Sequence, residues 1–141
     1  MRFDLHSNID VKQAISPTDI TDATPVVSEI LDTQSAAAAA LIIAVGALTG
    51  ADAEFDVLIE HGDEADLSDA LAVPDSQLNG TEELAGFATA DANGARKIGY
   101  RGDRRYVRAT LTRTSAAGTA SVSALWLQGR LHDAPAPNPP V

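Results

Sequence analysis

Hydrophobic residues recur mostly at every second position along this chain, the period of a half-buried β-strand. Three such stretches fill the back half. Arg96 to Tyr100 offers Ile98 and Tyr100 to one face. Arg104 to Thr114 sets Val107, Ala109 and Leu111 against Tyr106, Arg108, Thr110 and Thr112. Thr119 to Gln128 sets Val122, Ala124 and Trp126 against Ser121, Ser123, Leu125 and Leu127. Arg101-Gly102-Asp103 and Ser115 to Gly118 supply turns between them. In the front half, Ala53 to His61 alternates too, with Phe55, Val57 and Ile59 inward and Glu54, Asp56, Leu58 and Glu60 outward.

The remaining segments carry weaker patterns. Residues 1–23 read as an extended arm with apolar anchors at Phe3, Leu5, Ile9, Val11 and Ile15, and Ile9 to Ile15 suits one strand. Such an arm either lies across a neighbour or frays. Arg2 could begin a leader peptide, but Asp4 and Ser7-Asn8 interrupt any apolar core, so no signal peptide is expected. Thr24 to Thr33 reads as a strand entered at Pro25. In Ser35 to Gly50 the five alanines favour helix, whereas Leu41, Ile42, Ile43 and Val45 favour strand. We expect a buried strand over Ala38 to Leu48, with a buried helix as the alternative. Its apolar run is shorter than the roughly 20 residues of a membrane span. Gly50-Ala51-Asp52 would then turn it into Ala53–His61, forming an antiparallel hairpin at the centre of a sandwich.

Gly62 to Gly80 is an acidic connection in which Val73 and Leu78 tuck inward around a one-turn helix at Pro74 to Gln77. Its Asp63, Glu64, Asp66 and Asp69 lack the alternate-ligand spacing of a calcium loop. A short strand centred on Leu84 to Thr89 is expected within Thr81 to Asp91. The tail from His132 to Val141 holds four prolines. It should be extended, as a strap or a disordered end. The expected division is an arm over 1–23, a β-domain over 24–131 and a tail over 132–141.

Charge sharpens this picture. The formal net charge is −10, which argues against a nucleic-acid partner. Asp52 to Glu83 contains eleven acids and no Lys or Arg; Arg96 to Arg113 contains seven bases and one acid. These are either two solvated faces or complementary patches, and patches of that kind set the register of an association. The side-by-side acids of Ala53–His61 would repel one another unless an Arg-bearing strand, from this chain or another, met them. Cys is absent and aromatics are few, so the core is built of small aliphatic residues and stability would gain from assembly.

The run from Phe87 to Thr112, with Phe87-x-x-x-Asp91, Arg96-Lys-Ile-Gly-Tyr100, a glycine turn and Arg105-Tyr-Val-Arg108, resembles small virion-associated proteins of tailed bacteriophages and prophages. The resemblance covers about Leu31 to Leu131 and is weakest over Glu64 to Thr81. It implies an all-β, antiparallel, jelly-roll-like sandwich that decorates or cements a phage head. The protein would be made in the host cytoplasm and carried on the capsid surface. The implied partners are the major capsid protein and further copies of the chain, as dimer or trimer. No membrane or nucleic-acid partner is implied. The basic strands, Arg96, Lys97, Arg101, Arg104, Arg105, Arg108 and Arg113, are the expected contact residues. Another virion position, or a carbohydrate-binding sandwich, is the alternative.

Catalytic signatures do not emerge. His6, His61 and His132 lack a second ligand at useful spacing for zinc. There is no Gly-x-Ser-x-Gly elbow and no phosphate-cradling Gly-Lys-Ser/Thr loop. No enzyme activity and no cofactor are expected. Trp126 could serve a sugar platform, but its strand is apolar on both sides, which favours the core.

Overall fold

The computed structural model describes residues 3–139. Arg2, and Pro140 and Val141 at the end of the tail, lie outside the described residues. In chain order the strands are β1 (Ile9–Ile20), β2 (Val26–Val27), β3 (Leu31–Asp32), β4 (Ala36–Thr49) and β5 (Glu54–Gly62). They continue as β6 (Leu71–Ala72), β7 (Leu78–Asn79), β8 (Phe87–Ala88), β9 (Ala95–Tyr100), β10 (Tyr106–Arg113) and β11 (Thr119–Leu131). One helical turn, α1 (Glu82–Ala85), precedes β8.

The strands form two antiparallel sheets. The first runs β1-β11-β4-β9-β7; the second is built on β2-β10-β5-β6, with β3 also pairing β10 and β8 also pairing β5. From β1 through the short β2 and β3 to β4 and β5, and again from β9 through β10 to β11, the chain passes from one sheet to the other and back, which is jelly-roll-like winding. The all-β sandwich read from the alternation is therefore the fold. The segment with competing propensities, Ala36–Thr49, is strand throughout.

Inner faces meet in a core of small and medium side chains. Leu41, Ile43 and Val45 of β4 and Val122, Ala124 and Trp126 of β11 face Phe55, Val57 and Ile59 of β5 and Val107, Ala109 and Leu111 of β10. Trp126 is the bulkiest fully buried side chain, and its Nε1 donates to the Glu29 carbonyl at 3.1 Å. That bond satisfies the ring's one polar atom.

Two expectations need correction. β4 and β5 do not form a hairpin. The turn at residues 50–53 carries the chain from one sheet to the other, so β4 pairs β11 and β9 while β5 pairs β10. Gly50 (φ +104°) packs against Gly118 (φ +120°) of the β10–β11 turn, and a Cβ on Gly50 would lie 2.8 Å from the Gly118 Cα. Two sheet-crossing turns fit there because both are glycine. Nor is Thr81–Asp91 a strand. Thr81 Oγ1 accepts from the Leu84 N–H at 3.1 Å and caps α1. Glu82 and Glu83 in its first turn suit the helix dipole. Only Phe87–Ala88 is strand, followed by a 3-10 turn at Thr89–Asp91.

The expected arm is extended and, over Ile9–Ile20, laid on β11 of its own chain as the sheet's edge. The tail returns to it, with the Ala136 N–H donating to the Ser7 carbonyl at 3.0 Å. Thr24–Thr33 supplies two short strands, β2 and β3, both on β10.

Adjacent residues of β5 test the facing. Ile59 is buried and Leu58 is exposed. Ile59→Ala is expected to cost about 2–5 kcal/mol of unfolding free energy, and Leu58→Ala less than about 1 kcal/mol. Equal losses in urea titrations would contradict the assigned faces.

Candidate functional site

The outer faces of the two sheets differ in kind. On the second sheet the acids of β5 stand beside the bases of β10. Arg108 lies directly opposite Glu60, and its Nε donates to Glu60 Oε2 at 2.8 Å. For Glu60 the Arg-bearing strand is thus within the chain, whereas Asp56 stands opposite Thr112.

Other expected contact cations are also held internally. Arg105 makes two bonds to Asp32, at 2.9 and 2.7 Å, and its guanidinium lies over the Tyr106 ring. Arg104 reaches Asp63 at 3.3 Å and Asp69 at 3.4 Å. Arg96 pairs with Asp91 and donates to the Gly86 carbonyl. Arg113 donates to the carbonyls of Thr21 and Gly118, both at 2.8 Å, which ties β10 to the ends of neighbouring segments. Lys97 and Arg101 are exposed, and no ion pair is formed by either among the described residues.

These pairings set local protonation. Two hydrogen bonds from Arg105 hold the Asp32 carboxyl below its usual range. Asp69 is lowered chiefly by the Asp63 backbone N–H, and Asp91 chiefly by that of Ala88 and then by Arg96. In the acidic connection Asp69 therefore acts as a cap, accepting from the Asp63 and Glu64 N–H groups. Among the described residues no group of three or more acids and histidines is placed to hold a metal.

Beneath this connection His61 is buried, with Nδ1 2.9 Å from the Tyr100 hydroxyl. That hydroxyl donates to the Arg104 carbonyl at 2.9 Å and accepts from the Arg104 N–H at 3.2 Å. Its single proton is thereby used, so the network assigns the hydrogen to His61 Nδ1. Burial, then the nearby Arg104, lowers the His61 pKa against opposing pulls from Asp103, Asp63 and Asp69. Burial likewise pushes the Tyr100 hydroxyl up to about 12. The cluster is a closed structural knot joining the two sheets. The other histidines are remote from it: His6 lies beside Asn138, and the backbone of His132 bonds Ser35.

The first sheet has a different outer face. Along one row Val11, Leu127, Ala40 and Gly99 stand side by side; along the next, Gln13, Leu125, Ile42 and Lys97. Ile9, Gly129 and Ala38 make a third. Over residues 38–42 of β4 and 125–129 of β11 the outer face is therefore apolar. A groove of about 610 Å³ crosses this face, floored by Ala38, Ala40 and Gly99 and walled by Ile9, Leu127 and Leu84. The sequence signal was present in Leu41-Ile42-Ile43 and Leu125-Trp126-Leu127, but which parity faces out depends on the sheet partner. No aromatic ring lines the groove. Trp126 and Tyr100 are buried, Tyr106 is half-buried on the other sheet, and the exposed Phe3 precedes β1.

No family model matches the sequence, and no curated protein matches it. Solved structures do share the fold. The CBM22-1–GH10 modules of xylanase 10B from Clostridium thermocellum, complexed with xylohexaose, superpose with a TM-score of 0.51 at 9% identity, over 92% of this chain and 28% of that one. A xylan-binding module, CBM15, gives 0.48 at 11% identity over 94% and 97% of the two chains. The SPBc2 prophage-derived protein YomS gives 0.48 at 11% identity over 85% and 95%. The neighbours are mostly carbohydrate-binding sandwiches, with one phage-derived protein. At these identities the likeness is one of fold.

His61 makes stability depend on pH. Its folded pKa lies below the 6.5 of the free side chain, so the unfolded chain binds the extra proton first. Stability is fully present above about pH 6.5 and falls as pH descends toward the folded value. The lowered carboxylates act only below their usual 3.8. Thermal melts from pH 7 to 5 should show a falling midpoint in the wild type and a flatter one in His61→Gln. Parallel slopes would contradict this account.

Proposed function

We propose that this chain is a structural component of a phage particle, a capsid decoration protein that acts by protein contact rather than by catalysis. What carries the reading is the outer face of β1, β11, β4 and β9, where aliphatic side chains and glycines point away from the protein's own core. A sheet apolar on both sides is the pattern of a sheet covered on both sides. The resemblance of Phe87 to Thr112 to virion-associated proteins supplies the particle. The prophage origin of one fold neighbour agrees with it but adds no weight of its own.

Stabilisation follows from mass action. A protein that binds the assembled shell better than its free subunits shifts the equilibrium toward the shell by the free energy of binding. Of the seven expected contact cations, Lys97 and Arg101 are the two that could pair with an acidic partner without breaking an internal ion pair or, as for Arg113, hydrogen bonds to backbone carbonyls. The carbohydrate-binding alternative needs exposed rings on which sugars stack, and neither sheet offers one fully exposed ring among the described residues.

The test is sedimentation with empty heads assembled from the major capsid protein of the phage whose particle would carry this chain. The wild type should co-sediment to a fixed saturating ratio. Lys97→Glu with Arg101→Glu should weaken attachment about tenfold, with the loss fading at high salt, because two rim pairs of up to about 1 kcal/mol each are reversed. Failure of the wild type to bind heads would overturn the reading, and undiminished binding by the double variant would remove the cations from it.

A further inference from the structure

We propose that two copies of this chain pack back to back through the outer face of the five-stranded sheet, as a symmetric dimer. This rests on reading that face as a protein-contact surface and names its occupant.

Charge points to a second copy. With a net charge of −10, most faces of the molecule would press acid against acid when two copies met. The three apolar rows carry one charge, Lys97, at their side. Two copies joined here place their Glu60–Arg108 sheets on opposite outer surfaces.

Shape agrees. A two-fold contact must be self-complementary: what one copy inserts, the other must receive. The face has both parts. Leu125 and Ile42, side by side in register, make a ridge. The groove over Ala38, Ala40 and Gly99 is the trough beside it. Each copy's ridge can seat in the other's trough, with the sheets about 10 Å apart as in ordinary sandwich packing.

The apolar rows span four strands, β1, β11, β4 and β9. At about 4.8 Å between strands and roughly five residues of about 3.3 Å each, they present on the order of 300 Å². Leu84, 72% exposed at the groove's wall, enlarges the apolar surface. A face of that extent makes an interface at the small, reversible end of the range.

Edge-to-edge pairing, the rival way for sheets to join, is blocked. Edge strand β1 carries Pro17 and two breaks in its register between Gln13 and Thr18, and the other edge, β7, is two residues long. Proline and bulges are common devices for blunting an edge. The face, not the edge, is the surface left for association.

The full chain should run at twice its 14.6 kDa in light scattering at about 100 μM, well above the Kd of even a micromolar interface. Leu125→Glu should halve that mass with an unchanged far-ultraviolet circular dichroism spectrum. Because that variant could misfold, spin labels give an independent reading on a chain that has no cysteine of its own. Labels at Ala44→Cys should lie at least about 20 Å closer, copy to copy, than labels at Thr110→Cys, since two sheet separations of about 10 Å intervene. A monomeric wild type, a trimer, a folded Leu125→Glu dimer or a shorter Thr110 distance would each overturn the proposal. Head sedimentation separates its fate from that of the particle reading: a dimer of this kind that ignores heads overturns only the latter, and a monomer that decorates heads only the former.

Discussion

The pairing of β4 with β11 is the constraint on which the rest of the structure depends. It runs from Thr119 opposite Thr49 to Leu131 opposite Ala36, joining segments far apart in sequence. It sets Leu41 beside Trp126 and Ile43 beside Ala124, and so decides which parity of both strands becomes core. β1 adds to one side of the pair and β9 to the other. The second sheet then packs on a surface already defined. A fold of this kind is held by non-local contacts, because the turns after β4, β9 and β10 each cross from one sheet to the other.

The same topology explains the segregated charges. The acids of β5 and the bases of β10 belong to separate blocks of sequence, yet jelly-roll winding makes those strands neighbours. Arg104 and Arg105 reach back in the same way, to the acidic connection and to Asp32. Much of what looked in sequence like a cationic surface seeking a partner is complementarity inside one chain. These pairs are partly exposed, so each contributes modestly to stability. Their larger effect is on register: a one-residue slip of β10 would turn Arg108 away from Glu60 and Val107 out of the core.

Strands announced themselves through alternation wherever one face was core and the other polar. Glu54 to His61 and Tyr106 to Arg113 could be read from sequence for that reason. Strand partners could not be read, because a tight turn after β4 is compatible both with a hairpin and with a crossing between sheets; Gly50 and Gly118 permit the crossing only because they meet in space. Two-residue strands such as β2, β3 and β8 are too short to show a period. The capped turn at Thr81 was hidden because Leu84 and Phe87 fit a strand as well as a helix end. Trp126 was placed in the core from its apolar neighbours, and that same double-sided apolarity is what marks the outer face.

That face is best understood through what the core lacks. With three Phe, two Tyr and one Trp in 141 residues, the sandwich interior is filled by Ala, Val, Ile and Leu. A monomer selected for stability and solubility alone would place Thr, Lys or Glu at positions 42, 125 and 127, where a side chain faces water and strand propensity is satisfied either way. Aliphatic residues there add nothing to the protein's own core, since the sheet lies between them and it. They gain their hydrophobic free energy only when another surface removes them from water. The groove floored by alanine and glycine fits the same logic, because small residues let an opposing sheet approach closely. The fold, completed by the other faces of these strands, does not call for the apolarity of Ile42, Leu125 and Leu127; a contact of the kind proposed would use it.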